Sequence, residues 1–263
     1  MTTDPRAVLS RPAPAPDATL RYGDHPDQVV DLRLPAGPAG GAPLPPVVVI
    51  HGGFWRSEYD RGHTGPLAAD LAGRGYPVAQ LEYRRTGAPG GGWPGTLDDV
   101  AAGLTALPGL LADAGVRVAA GPPILLGHSA GGQLALWWAA EPGRARGVLA
   151  LAPVSDLVAA YRLDLDGGAV AALLGGAPEE FPDRYAAVDP HQMSPTTART
   201  VVVHGGLDQQ VPPEMNRRYV TESRRLGGNI RLIELPDCEH FGLIDPKSPA
   251  WPRVLDALRE LNP

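Results

Sequence analysis

The chain has 263 residues, 43% of them hydrophobic, and a formal net charge of −6 at pH 7. That size and apolar content suit one domain with a sizeable core, and the acidic balance, without a Lys/Arg cluster, argues against a nucleic-acid partner. The single cysteine, Cys238, excludes an intramolecular disulfide and a cysteine-based zinc site, and no apolar stretch suits a signal peptide or a membrane span, so the cytoplasm is the expected location.

The 33 glycines and 30 prolines approach the level at which disorder is suspected, but apolar blocks recur along the chain and argue for a packed fold. Residues 1–18, rich in Pro, Ala and Asp, read as an N-terminal arm, and 19–263 as one domain. "QVVDLRLP" (28–35) alternates like a strand, and "PAGPAGGAPLPP" (35–46) is a loop that cannot hold a helix. "VVVI" (47–50) is continuous and β-branched, as in a strand buried on both faces. After "HGGFW" (51–55) come a helix over 65–75, a strand over 77–83, and a helix over 96–115 that Pro108 should kink or break. A strand (122–126), a helix (130–141) and a strand (147–153) follow. The chain then continues with a strand (199–205), a helix (212–227), a strand (229–236) and a closing helix (249–262).

Such alternation indicates an α/β fold, a mostly parallel central sheet with helices on both faces. Residues 155–197 interrupt it. They are too many for an ordinary connection, so a small cap insertion over a site is expected.

"LLGHSAGGQLAL" (125–136) supplies that site. Gly127-His128-Ser129-Ala130-Gly131 fits G-x-S-x-G between a strand and a helix, the sharp turn that exposes a serine hydroxyl to a base. With the order serine, acid, histidine, the base must be His191, His204 or His240. His240, in "PDCEHFG" after the last strand, is favoured; His204 sits at a strand end as a structural residue, and His191 lies in the insertion without a site-like context. Asp208, in "VVVHGGLDQQVPP", is the favoured acid, and Asp156 the alternative from one strand earlier. Asp237 and Glu239 are too close to His240 in sequence to reach its ring and are expected to be solvated. "HGGFW" offers backbone amides for a developing oxyanion, joined by the amide of Ala130. Trp137 and Trp138 read as helix packing and Cys238 as a small buried residue. No spacing suggests a metal, and no phosphate loop or dinucleotide fingerprint implies a cofactor.

Together, "HGGFW", "GHSAGGQLAL", "HGGLDQQVP" and "CEHFG" resemble the α/β-hydrolase superfamily over residues 20–262. More narrowly they resemble its bacterial esterase and kynurenine formamidase-like (arylformamidase) branch, with an H-G-G-x-W oxyanion motif. "YRRTGAPGGGWPGTLDDV" (83–100) is similar to the same branch, and Phe54 stands where hormone-sensitive-lipase-like chains have a third glycine. The resemblance implies a triad of Ser129, Asp208 and His240 and oxyanion donors at Gly53, Phe54 and Ala130. It implies a hydrolase of small esters or aryl amides without a metal or cofactor. Trp55, Tyr161 and Phe181 are candidates for contacting an aromatic substrate. A prolyl-oligopeptidase-like peptidase is the enzymatic alternative, and a non-catalytic small-molecule-binding protein the alternative from another class.

Overall fold

The computed structural model describes residues 4–35 and 43–262. Its centre is an eight-stranded sheet in the order β1-β2-β4-β3-β5-β6-β7-β8. The strands are β1 (Ala18–Arg21), β2 (Val29–Arg33), β3 (Val47–Ile50), β4 (Val78–Leu81), β5 (Ile124–His128), β6 (Gly147–Leu151), β7 (Arg199–Gly205) and β8 (Ile230–Leu235). β1 and β2 pair antiparallel; from β4 to β8 every pairing is parallel. β1 adds an edge strand to those expected. Much of the loop expected at 35–46 lies outside the described residues, as do residues 1–3 of the arm.

Alternation along the strands divides the core in two. Val48, Ile50, Leu125, Val148 and Val202 face one side, Val47, Val49, Ile124, Leu126 and Val201 the other. On the first side pack α2 (Gly95–Asp113), α3 (Ala130–Trp138) and α8 (Pro213–Arg225); on the second, α1 (Gly65–Gly73) and α9 (Trp251–Glu260). α2 runs unbroken through Pro108, so the proline does not end the helix there. Leu104, Leu107 and Leu111 anchor its buried face, while Pro108 lies on the exposed face.

The insertion after β6 forms four short helices, α4 (Leu157–Arg162), α5 (Ala169–Leu174), α6 (Pro182–Val188) and α7 (Pro190–Met193). It is packed rather than loose: Leu173, Leu174, Tyr185 and Val188 are buried, and Gln133 of α3 donates to the Val188 carbonyl (2.9 Å). The N-terminal arm is also folded. Pro5–Ser10 form a 3-10 turn capped by Asp4, with Val8 wholly buried and Arg11 paired to Asp245. Full burial of one valine contributes about 1.5–3 kcal/mol toward holding the turn against the domain, beside the Arg11–Asp245 pair. Among the described residues no helix is long and apolar enough to cross a membrane.

Candidate active site

From β3 the chain builds β4 on one side and β5 on the other, and such a reversal opens a crevice at the carboxyl ends of the strands. β5 ends there at His128 and turns at Ser129, whose backbone has φ 55° and ψ −118°. A non-glycine residue in that region is strained by about 1–3 kcal/mol and persists only where its surroundings hold it. Here the Ser129 N–H donates to Leu151 O (2.9 Å), and its carbonyl accepts from Gln133 and Val154 (both 3.2 Å). Side chains on the flanking glycines would undo the turn. A Cβ on Gly127 would strike the Gly131 carbonyl, and one on Gly131 the carbonyls of Ile50 and His51.

His240 follows β8 and donates from Nδ1 to Asp208 Oδ2 (2.6 Å), which leaves Nε2 free of a proton to accept one. Asp208 Oδ1 accepts from the amides of Gln210 (2.8 Å) and Val211 (2.9 Å). Burial alone would raise the Asp208 carboxyl, but His204 and His240 outweigh it and hold the group ionised well below the usual carboxylate range. Ser129 and His240, 2% and 4% exposed, line one cavity. Among the described residues no hydrogen bond joins Ser129 Oγ to His240 Nε2, a contact that often tightens only around a substrate. Asp156 caps α4 by accepting from Ala159 N (2.7 Å) and lies near Arg218 (3.6 Å). His191 lies in α7, away from the cavity.

The "HGGFW" segment leaves β3 in a strained path, with Phe54 at φ 48° and Trp55 at φ 58°. A buried network braces it. His51 stacks on Tyr83 (4.4 Å between centroids, 9°), bonds Glu82 through Nε2 (2.8 Å), and accepts the Tyr83 hydroxyl on its carbonyl (2.9 Å). Burial opposes ionisation of Glu82, but His51, Arg85 and the Arg61 amide bring its carboxyl down to about 2. Trp55 is held by Gln133 Oε1 at its Nε1 (3.1 Å) and by the Thr86 amide at its carbonyl (2.8 Å). Among the described residues the amides of Gly53, Phe54 and Ala130 donate to no protein acceptor.

The cavity, of about 40 Å³, brings Gly53 and Phe54 together with Ser129 and His240. Three expected contacts lie elsewhere. Trp55 is fully buried beside Gln133, Tyr161 packs edge-on to Tyr185 within the insertion, and Phe181 lies under the Arg184 guanidinium. The insertion reaches the cavity through Asp166, which is held by Arg56, the residue after "HGGFW". The other walls were not foreseen: Arg6 and Leu9 from the N-terminal turn, Tyr59 and His63, His128, Gln210 and Phe241. His128 and Phe241 adjoin Ser129 and His240 in sequence, so adjacency could have found them. Arg6 and Leu9 carry no sequence signal. A larger groove of about 700 Å³ lies between the N-terminal turn and the Asp237–Arg253 region and contains neither Ser129 nor His240.

Glu239 is not simply solvated: its carboxylate accepts from the amides of Phe241 (2.7 Å) and Gly242 (2.6 Å) and shapes the turn after His240. Burial, with Glu239 and Asp208 nearby, pushes the Cys238 thiol up to about 12, so it is protonated at neutral pH. Among the described residues no group of three or more His, Cys, Asp or Glu side chains could hold a metal ion.

Sheet order, elbow and crevice define an α/β-hydrolase fold. The BD-FAE family model matches residues 30–221, and the chain belongs to that family. Among solved structures it is similar to a thermophilic esterase from Thermogutta terrifontis with propionate bound (20% identity, TM-score 0.71, 92% of each chain). It is also similar to a truncated carbohydrate esterase from gut microbiota (16%, TM-score 0.75, 92% of this chain and 95% of that one). A bifunctional GH43-CE protein of Bacteroides eggerthii matches at 20% identity and TM-score 0.75, over 92% of this chain and 37% of its own. At these identities the likeness is one of fold. Comparison with curated proteins gave no match.

Proposed function

We propose that the protein is a serine hydrolase of small carboxylic esters, acting through an acyl-enzyme. The observation that carries this is the 2.6 Å contact of His240 with Asp208 beside a strained Ser129, with three unpartnered amides at the same turn pair. Ser129 Oγ attacks the ester carbonyl while His240 Nε2 takes its proton. The carbonyl oxygen, now negative, accepts from the amides of Gly53, Phe54 and Ala130, each worth about 100- to 1,000-fold in rate where such donors have been removed. Collapse expels the alcohol, which receives the proton from His240. Water then attacks the acyl-enzyme by the same route, with Asp208 holding the tautomer throughout.

The small cavity favours acyl groups of two to four carbons, in keeping with a fold-mate whose structure holds propionate. Steady-state kcat/KM on aryl acetate, butyrate and decanoate tests this. Acetate and butyrate should exceed decanoate, and the reverse order would refute the proposed acyl site. An arylformamidase activity is the alternative, supported by Phe54, Tyr59 and Phe241 on the cavity wall, which suit a flat ring beside a formyl group. Cleavage of N-formyl-kynurenine above the rate of the Ser129→Ala protein supports it; equality with that control removes it.

A further inference from the structure

Asp208 meets two imidazoles, not one. Besides His240 Nδ1, its Oδ2 lies 3.2 Å from His204 Nε2, on side chains 0% and 1% exposed. The tautomer of His204 follows from its other neighbour. Asn216 of α8 donates from Nδ2 to the Pro153 carbonyl (2.9 Å), which fixes the orientation of its amide. The same Nδ2 lies 2.9 Å from His204 Nδ1, which is therefore the accepting nitrogen. The ring proton is on Nε2, shared between Val211 O (3.0 Å) and Asp208 Oδ2. One N–H thus grips both ends of the Asp208–Val211 loop, whose Oδ1 already accepts from Val211 N.

We infer that His204 is a positioning residue for the triad: it holds the Asp208 carboxylate in line with His240 and draws part of its charge away from that ring. The inference rests on the triad proposed above. A donor beside Oδ2 weakens Oδ2 as an acceptor for His240, so imidazolium is stabilised less while His204 is present. The other titratable groups around the carboxylate are His128, held neutral by burial, and Cys238, held protonated. Neither competes for the charge.

The test compares His204→Asn with His204→Gln, two polar replacements, with Asp208→Asn as the reference and urea unfolding to follow stability. The Gln amide reaches the place of Nε2; the Asn amide reaches only that of Nδ1. His204→Asn should lower kcat by about tenfold, the worth of one hydrogen bond to a charged group. It should also move the acid side of the kcat/KM profile up by about half a pH unit to one unit. His204→Gln should restore the profile and most of the rate. If Asp208→Asn collapses the rate while the two His204 variants share the wild-type profile, the inference is overturned and the triad stands. If Asp208→Asn leaves the rate intact, the triad fails and the inference with it.

Discussion

Asp156 and Asp208 leave the carboxyl ends of the neighbouring parallel strands β6 and β7, and only Asp208 is bonded to the imidazole of His240. Asp208→Asn should preserve the fold and lower kcat by about 10⁴, because an amide favours the wrong tautomer of the base. Asp156→Asn should stay within a few-fold of wild type, since asparagine caps a helix about as well as aspartate. Steady-state kinetics of both variants decide it; the reverse order of losses would move the acid to the loop after β6.

Gly131 and Gly73 both lie in helices but in opposite surroundings. Gly131 faces the backbone carbonyls of Ile50 and His51, while a Cβ on Gly73 meets nothing within 4 Å. Gly131→Ala should therefore cost roughly 3 kcal/mol or more, because backbone rather than a flexible side chain has to move. Gly73→Ala should gain about 0.5–1 kcal/mol. Urea unfolding measures both, and equal effects would show that the elbow tolerates a side chain.

Acid should weaken the protein in two steps. Burial, aided by His51, pushes His63 down from 6.5 to about 4. Above pH 6.5 the ring is neutral in the folded and unfolded chain; below it, only the unfolded chain takes the proton. Stability should thus fall as pH drops from 6.5 to 4, by about 3 kcal/mol from this group. Glu82 works in the lower window, between 4.5 and about 2, where the unfolded carboxyl is protonated first. His63→Gln should flatten the first step in unfolding free energies measured from pH 7 to 4. An unchanged slope would mean that His63 is not buried as a neutral ring.

Leu9 lines the same cavity as Ser129 although it lies 120 residues before it. Leu9→Ala should widen that wall and raise kcat/KM for hexanoate relative to acetate by about tenfold, the usual scale for a few methylenes in an apolar pocket. Parallel changes on both esters would show that Leu9 does not bound the acyl group.

The strands of the parallel core were legible because a continuous β-branched run matches burial on both faces: all of Val47–Ile50 is apolar, and its residues alternate between two cores. The elbow was legible because its chemistry is local, with glycines needed two positions either side of Ser129. Pro108 does not break α2, because the buried face set by Leu104, Leu107 and Leu111 continues through it while the proline itself stays exposed. Trp55, Tyr161 and Phe181 misled because the aromatic type does not say whether a ring faces a cavity or another ring. Arg6 and Leu9 reach the site through a tertiary contact anchored by Val8 and the Arg11–Asp245 pair, which no local pattern announces. The bracing of "HGGFW" by His51, Glu82 and Tyr83 joins consecutive strand ends and was equally silent.

The most direct measurement is intact-mass and peptide mapping after reaction with a fluorophosphonate, with Ser129→Ala and His240→Ala alongside. One adduct per chain on Ser129 is expected, absent in Ser129→Ala and formed orders of magnitude more slowly in His240→Ala, because the hydroxyl then lacks its base. No adduct on the wild-type protein, or labelling that His240→Ala leaves unchanged, would contradict the account of Ser129 as a nucleophile activated by His240.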